Sequence, residues 1–113
     1  MSLDRLDPLL SAPKRLAAIG MLANVSRVEF SFMRSHLELS DSDLSKQMKA
    51  LGDAGYVKVK KTGRGADRKT WFSITSKGDR VLRGHIVALN DLVLDSIPPP
   101  GVASVVDERT DVR

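Results

Sequence analysis

Between Lys58 and Lys69 the sequence KVKKTGRGADRK sets six basic residues and one acid, Asp67, within twelve positions. A dense run of cations containing two glycines suits a polyanion: the charges attract phosphates, and glycine lets the backbone approach closely. A second group lies upstream in SDSDLSKQMKAL, residues 40–51. Ser42, Ser45 and Gln47 carry short polar groups suited to base edges or nearby phosphates, and Lys46 and Lys49 suit phosphates or guanine. Taken alone, a charge run is more often a solvated face, and Ser40 to Asp43 is first of all a helix cap. The polyanion reading therefore depends on the elements that position these two groups.

Ser40-Asp41-Ser42-Asp43 has a hydroxyl followed three residues later by an acid, a capping-box pattern with Asp in place of the usual Glu or Gln. Asp41 and Asp43 then sit in the first turn, where the helix dipole favours negative charge. Leu44, Met48 and Leu51 make one apolar stripe, so Ser42, Ser45, Lys46 and Lys49 project outward, with Gln47 at the edge of that side. The spacing predicts a helix over Asp41–Ala54, ended by Gly55. Pro13 to Ala23 and Ser31 to Leu37 read as two earlier helices, with a brief extended segment at Arg27–Phe30 between them. Tyr56-Val57-Lys58-Val59-Lys60 alternates apolar and basic, and Lys69 to Ile74 is rich in aromatic and β-branched residues. Both read as strands, joined by a basic, glycine-containing loop into a β-hairpin. Thr75 caps a last helix over Ser76–Leu94, and the three prolines at 98–100 stop it. Phe30, Phe72, Tyr56 and Trp71 are expected to pack in the core or on the hairpin.

The fold class expected is thus mainly α with a small β-hairpin. Its order is an N-terminal arm (residues 1–12), a domain over residues 13–94, and a mobile tail over 95–113. Two short helices joined by about three residues and followed at once by a hairpin form a winged helix-turn-helix. The major groove admits one α-helix, which makes double-stranded DNA the expected partner. Lys60, Lys61, Arg64, Arg68 and Lys69 of the wing are expected to reach the flanking backbone or the minor groove.

The 113 residues are 42% hydrophobic and 28% charged, with 18 basic against 14 acidic side chains and no cysteine. Disulfides, thiolate metal sites and thiol redox chemistry are excluded by composition. His36 and His85 fall in different helices with no cluster of ligands beside them, so no metal or other cofactor is expected. No nucleophile–base spacing or phosphate loop points to an enzyme, and GRGAD lacks the strand-to-helix setting of a dinucleotide site. Apolar runs are far shorter than the ~18 residues needed to span a bilayer. The N-terminus carries acids where a signal peptide needs apolar residues, so a cytoplasmic location is expected.

The segments LSDSDLSKQMKALGDAGYV and KKTGRGADRKTWFSITSKG resemble the small bacterial winged-helix repressors of the MarR and ArsR type, the short MarR-like regulators above all. The likeness spans Leu16 to about Leu89. It is carried by the serine-capped helix, the Leu-x-x-x-Gly-Tyr-Val exit into a strand, and the Gly/Asp/Arg wing closed by Ile-Thr-x-x-Gly. The resemblance implies a transcriptional regulator, most simply a repressor. It also implies that Asp67 and a nearby arginine organise the wing; Arg68 stands there, with Arg64 as the other choice of partner. Such proteins dimerise through their terminal elements. Leu6, Leu9 and Leu10 of the arm and Leu82, His85, Ile86, Leu89, Leu92 and Val93 of the last helix are the residues expected at a homodimer interface, unless they close a monomer's core instead. Two other readings stay open. One is a winged-helix interaction module with an acidic protein partner. The other is a regulator with a small-molecule effector, unnamed by the sequence, between the winged domain and the dimer helices.

Overall fold

A computed structural model describes residues 3–101. A single 3-10 turn, Leu3–Arg5, precedes α1 (Pro13–Met21), β1 (Val28–Glu29), α2 (Phe30–Leu37), α3 (Asp41–Asp53), β2 (Val57–Thr62), β3 (Lys69–Ile74) and α4 (Ser76–Ser96). The expected elements are all present, with ends shifted by at most two residues. The extended segment before α2 does more than link helices. As β1 it pairs antiparallel with β3, Val28 opposite Phe72 and Glu29 opposite Trp71, so the hairpin becomes a three-stranded sheet of order β1-β3-β2.

Each helix end has a local cause. Pro13 occupies the first turn of α1, where its missing N–H is no loss. Asn24, after α1, and Glu38, closing α2, take left-handed backbone conformations, with φ of 63° and 55°. Ser40 Oγ accepts from the Asp43 N–H (3.1 Å), the forward half of the expected capping box. Gly55 turns the chain out of α3 with φ 80° and leads straight into β2. Thr75 then joins three elements: its Oγ1 accepts from the Gly78 N–H (2.9 Å) and donates to the Gly55 carbonyl (2.7 Å), and its N–H donates to the Tyr56 carbonyl (3.0 Å).

The core lies where α1, α2, α3, the sheet and the first turns of α4 meet. Ile19, Leu22, Met33, Leu44, Leu51, Phe72 and Leu82 are buried there, with Met48 and Val57 beside them. Three residues expected at a dimer interface belong to this interior instead. Leu10 is fully buried, and Leu82 and His85 are nearly so. The reason is the N-terminal arm, which is folded back on α4. Asp7 is the hub of that attachment. Its N–H donates to Nδ1 of His85 (3.0 Å), its Oδ1 accepts from the N–H groups of Leu9 and Leu10, and its Oδ2 accepts from the Tyr56 hydroxyl (2.6 Å). With Nδ1 accepting, the neutral imidazole carries its hydrogen on Nε2. At the other end, α4 runs to Ser96, so Asp95 and Ser96 are helical rather than the start of a tail. Residues 102–113 of the expected tail, like residues 1 and 2 of the arm, lie outside the described residues.

The hydrogen bond to Asp7, and burial after it, push the Tyr56 hydroxyl up to about 12 from its ordinary value of 10.0. The fold favours the protonated phenol. The stabilisation is therefore complete below about pH 10 and is lost as pH rises from about 10 towards 12. At about 1.4 kcal/mol per pH unit, this amounts to roughly 2–3 kcal/mol. Melting temperature measured across pH 9–12 should fall more steeply for the wild type than for Tyr56→Phe, which starts lower and lacks this titration.

Candidate nucleic-acid interface

Helix α3 buries Leu44, Met48 and Leu51 and leaves Ser42, Ser45, Lys46 and Lys49 exposed. The outward side expected from the sequence is therefore the outward side of the helix, with one exception. Gln47 is only 6% exposed. Its amide Nε2 donates to Asp43 Oδ1 (2.8 Å), and its Oε1 accepts from Arg15 Nη1 (3.1 Å). Arg15 in turn holds the Leu9 carbonyl through Nε (2.7 Å). One end of the Gln47 amide is thus bonded within α3 and the other ties α3 to Arg15 of α1, and Gln47 is withdrawn from the set of base readers.

Asp41 and Asp43, expected as capping groups, accept instead from side chains, and Ser40 alone caps α3. Asp43 accepts from Lys14 of α1 as well as from Gln47; these bonds, the Lys14 ammonium first, hold its carboxyl below the usual carboxylate range. Asp41 accepts from Arg34 of α2 (2.8 Å), a bond that ties the two helices of the helix-turn-helix together. At the far end Lys49 pairs with Asp53 one turn on (3.2 Å), both largely exposed. An exposed pair of this kind is worth roughly 0–1 kcal/mol, so Lys49 can leave it for a phosphate at little cost.

Beside α3 runs an open groove of about 870 Å³. One wall is α3, with Asp41, Ser45, Lys49 and Asp53; the other is the sheet, with Val59, Lys61 and Thr70, and Lys58 at the rim. Met48, Val57 and Phe72 form its floor. The helix and the wing therefore present their polar groups to one shared channel. Lys46 stands outside this channel, on the outer side of α3.

The wing itself is a paired ribbon in full register from Val57–Ile74 to Thr62–Lys69. Its tip closes with a short 3-10 turn, Gly65–Asp67. Gly63 has φ 75°, and a Cβ there would come within 2.2 Å of the Asp67 carbonyl oxygen, so only glycine fits. The tip is held by backbone bonds, Asp67 N–H to Arg64 O (2.9 Å) and Arg68 N–H to Gly65 O (3.2 Å). No ion pair joins Asp67 to Arg64 or Arg68 among the described residues, so the aspartate is not the organiser that the resemblance implied. The guanidinium groups of Arg64 and Arg68 both sit on exposed residues.

Strand alternation divides the remaining cations. Lys61 faces the groove, whereas Lys60 and Lys69 lie on the opposite face of the ribbon, with Trp71. The sequence set of wing residues is thus two sets, one on each face. Arg15, Arg27 and Arg34 escaped the sequence reading altogether. Their partners are 6 to 44 residues away, and no local pattern marks them.

Comparison with known proteins agrees with this geometry. Over 78 residues the chain is 28% identical to an uncharacterized protein of Methanocaldococcus jannaschii, covering 69% of this chain and 85% of that one. A transcriptional regulator homologue protein from Pyrococcus horikoshii OT3 superposes with a TM-score of 0.70 at 24% identity, over 75% of this chain and 84% of the other. A protein assigned to the MarR family of transcriptional regulators, from Porphyromonas gingivalis W83, gives 0.61 at 18% identity, over 79% and 85%. At such identities the two superpositions speak for the fold alone. A family model described as a winged helix DNA-binding domain matches residues 14–93. That stretch holds α1, the helix-turn-helix, the wing and nearly all of α4, and on it the chain belongs to the family of winged helix DNA-binding domains.

Proposed function

We propose that the protein is a sequence-specific regulator of transcription that binds double-stranded DNA as a homodimer and acts as a repressor in the cytoplasm. The observation that carries this reading is the shared groove: Ser45 and Lys49 of α3 face Lys61 of the wing across one channel. A duplex whose major groove takes α3 would bring its backbone along that channel. Ser42, Ser45, Lys46 and Lys49 would then meet base edges and nearby phosphates. Arg64 and Arg68 at the tip would meet the flanking backbone or the minor groove. Occupancy of a promoter in this way excludes polymerase. No helix among the described residues is long and apolar enough to cross a membrane.

The dimer reading is supported by α4. With Leu82 and His85 inside the monomer, the remaining apolar stripe is Ile86, Leu89 and Val93, respectively 50%, 38% and 52% exposed, with Leu92 half-buried beside it. Leu6 and Leu9 of the arm are half-buried as well. Large aliphatics at spacings of three and four on an exposed helix face are what a second copy would cover. Replacing both Ile86 and Val93 by Glu should convert the protein to a monomer by light scattering while leaving its helix content intact.

The test of function is a selection from random duplexes with the purified protein. A dimeric reader should enrich two related half-sites whose centres lie about 10–10.5 base pairs, or a multiple of that, apart. Failure to enrich any sequence, at salt where duplex is retained, would leave a non-specific binder and refute the specific one.

A further inference from the structure

We propose that Arg27, stacked on Trp71, heads a second phosphate-binding track on the face of the wing turned away from α3, shared with Lys60 and Lys69. The proposal rests on the reading of the protein as a binder of duplex DNA.

Trp71 sits at the middle of the sheet's outer face. Its register partners are Lys60 on β2 and Glu29 on β1, and its Nε1–H donates to Thr62 Oγ1 (3.0 Å). Held by two ladders and a hydrogen bond, the indole is a fixed platform. The Arg27 guanidinium lies over it, 3.9 Å from the ring centroid. A guanidinium held over a ring face by its cation–π contact can still turn N–H groups of its fork to a phosphate. Arg27 is exposed and forms no ion pair among the described residues, although Glu29 is two residues away. Thr62 is the register partner of Lys69, so Lys60, Lys69 and Arg27 surround the indole on one face, with Glu29 as the single acid.

The opposite face of the same ribbon carries Lys61 into the groove beside α3. The two faces of a ribbon cannot rest on the same phosphate. A duplex seated on α3 supplies one backbone to the Lys61 side. The partner backbone, across a minor groove about 6 Å wide, is the polyanion within reach of the outer side. The wing therefore straddles the groove, with cations for each strand, and Arg27 belongs to the DNA-binding set although it lies outside both the helix-turn-helix and the hairpin.

Full-length protein and the selected duplex are used at salt between ~50 and ~200 mM. Arg27→Ala should weaken binding of the dimer to its two half-sites roughly 60-fold at ~100 mM salt and reduce the salt slope by about 1.8, the value for one phosphate contact in each protomer. Arg27→Lys should restore the slope, because the charge is kept, with part of the affinity. Trp71→Phe should cost two- to threefold with the slope unchanged, as expected of a positioning residue. Thermal unfolding of each variant separates these effects from loss of fold. Arg27→Ala with wild-type affinity and slope, while Lys61→Ala loses both, would overturn the second track and leave the DNA reading standing. Loss of an acidic protein partner in Arg27→Ala, at full duplex affinity, would overturn it in favour of a protein-binding face. Wild-type protein that retains no duplex at all would instead refute the DNA reading, and the track with it.

Discussion

Alanine at Gly78 should lower the melting temperature by roughly 15 °C. Gly78 lies in the first turn of α4, and a Cβ there would stand 2.1 Å from the Tyr56 carbonyl oxygen and 3.0 Å from its Cα. The obstacle is backbone, so no side chain can swing aside. The Tyr56 carbonyl is fixed by the Thr75 N–H, and Thr75 Oγ1 spans from Gly55 to Gly78. Relief therefore means moving α4 off the start of β2 and losing the cap with it. Overpacking of a well-ordered contact costs about 1–3 kcal/mol, and about 3 kcal/mol is expected where backbone must shift. In a domain of this size each kcal/mol corresponds to about 4–8 °C. The contrast is Gly84 in the same helix, whose Cβ would meet nothing within 4 Å. Gly84→Ala should raise stability by roughly 0.5–1 kcal/mol, because alanine restricts the unfolded chain and suits a helix. Scanning calorimetry of the two variants decides this. Equal melting temperatures would mean that α4 does not seat on β2 as described.

The second large effect concerns binding. Neutralising Lys61, Arg64 and Arg68 together should reduce affinity by between two and three orders of magnitude per half-site at ~100 mM salt. Three phosphate contacts in each protomer correspond to a change in salt slope of about 2.7 per half-site, and twice that for the dimer on its full site. All three residues are exposed, and none makes an ion pair among the described residues. The melting temperature should consequently stay within a few degrees of wild type. Fluorescence anisotropy with a labelled duplex, titrated at several salt concentrations, gives both quantities. An unchanged slope would show that the tip does not touch the backbone.

Most of the fold was legible because its signals are local. The Leu44–Met48–Leu51 stripe, the Ser40 cap, the Gly55 exit and the alternation in β2 are each set by residues within one element, and the structure carries all four. The misreadings arise where a distant partner decides the outcome. On the helix wheel Gln47 sits at the border between core and solvent, and Arg15, 32 residues earlier, draws it inward. Leu10, Leu82 and His85 have the same apolar character as a dimer stripe. Only the fold-back of the arm, through Asp7 and His85 at a separation of 78 residues, shows that they face their own core. Asp7 itself carries no local mark of its role. The division of the wing, by contrast, is readable from sequence. Lys60 and Lys61 are adjacent, and neighbours on a strand point to opposite faces. What sequence could not supply is which face meets α3, since that depends on Phe72 and Val57 packing under the helix.

In the proposed complex the outward side of α3 lies on DNA. The most direct measurement is the affinity and salt slope of Lys46→Ala/Lys49→Ala for a selected duplex, beside its melting curve. The expected result is a loss of roughly 60-fold per half-site at ~100 mM salt and a slope reduced by about 1.8 per half-site, twice that for the dimer, with melting within a few degrees of wild type. A double variant that melts normally and still binds the duplex with wild-type affinity and slope would contradict it.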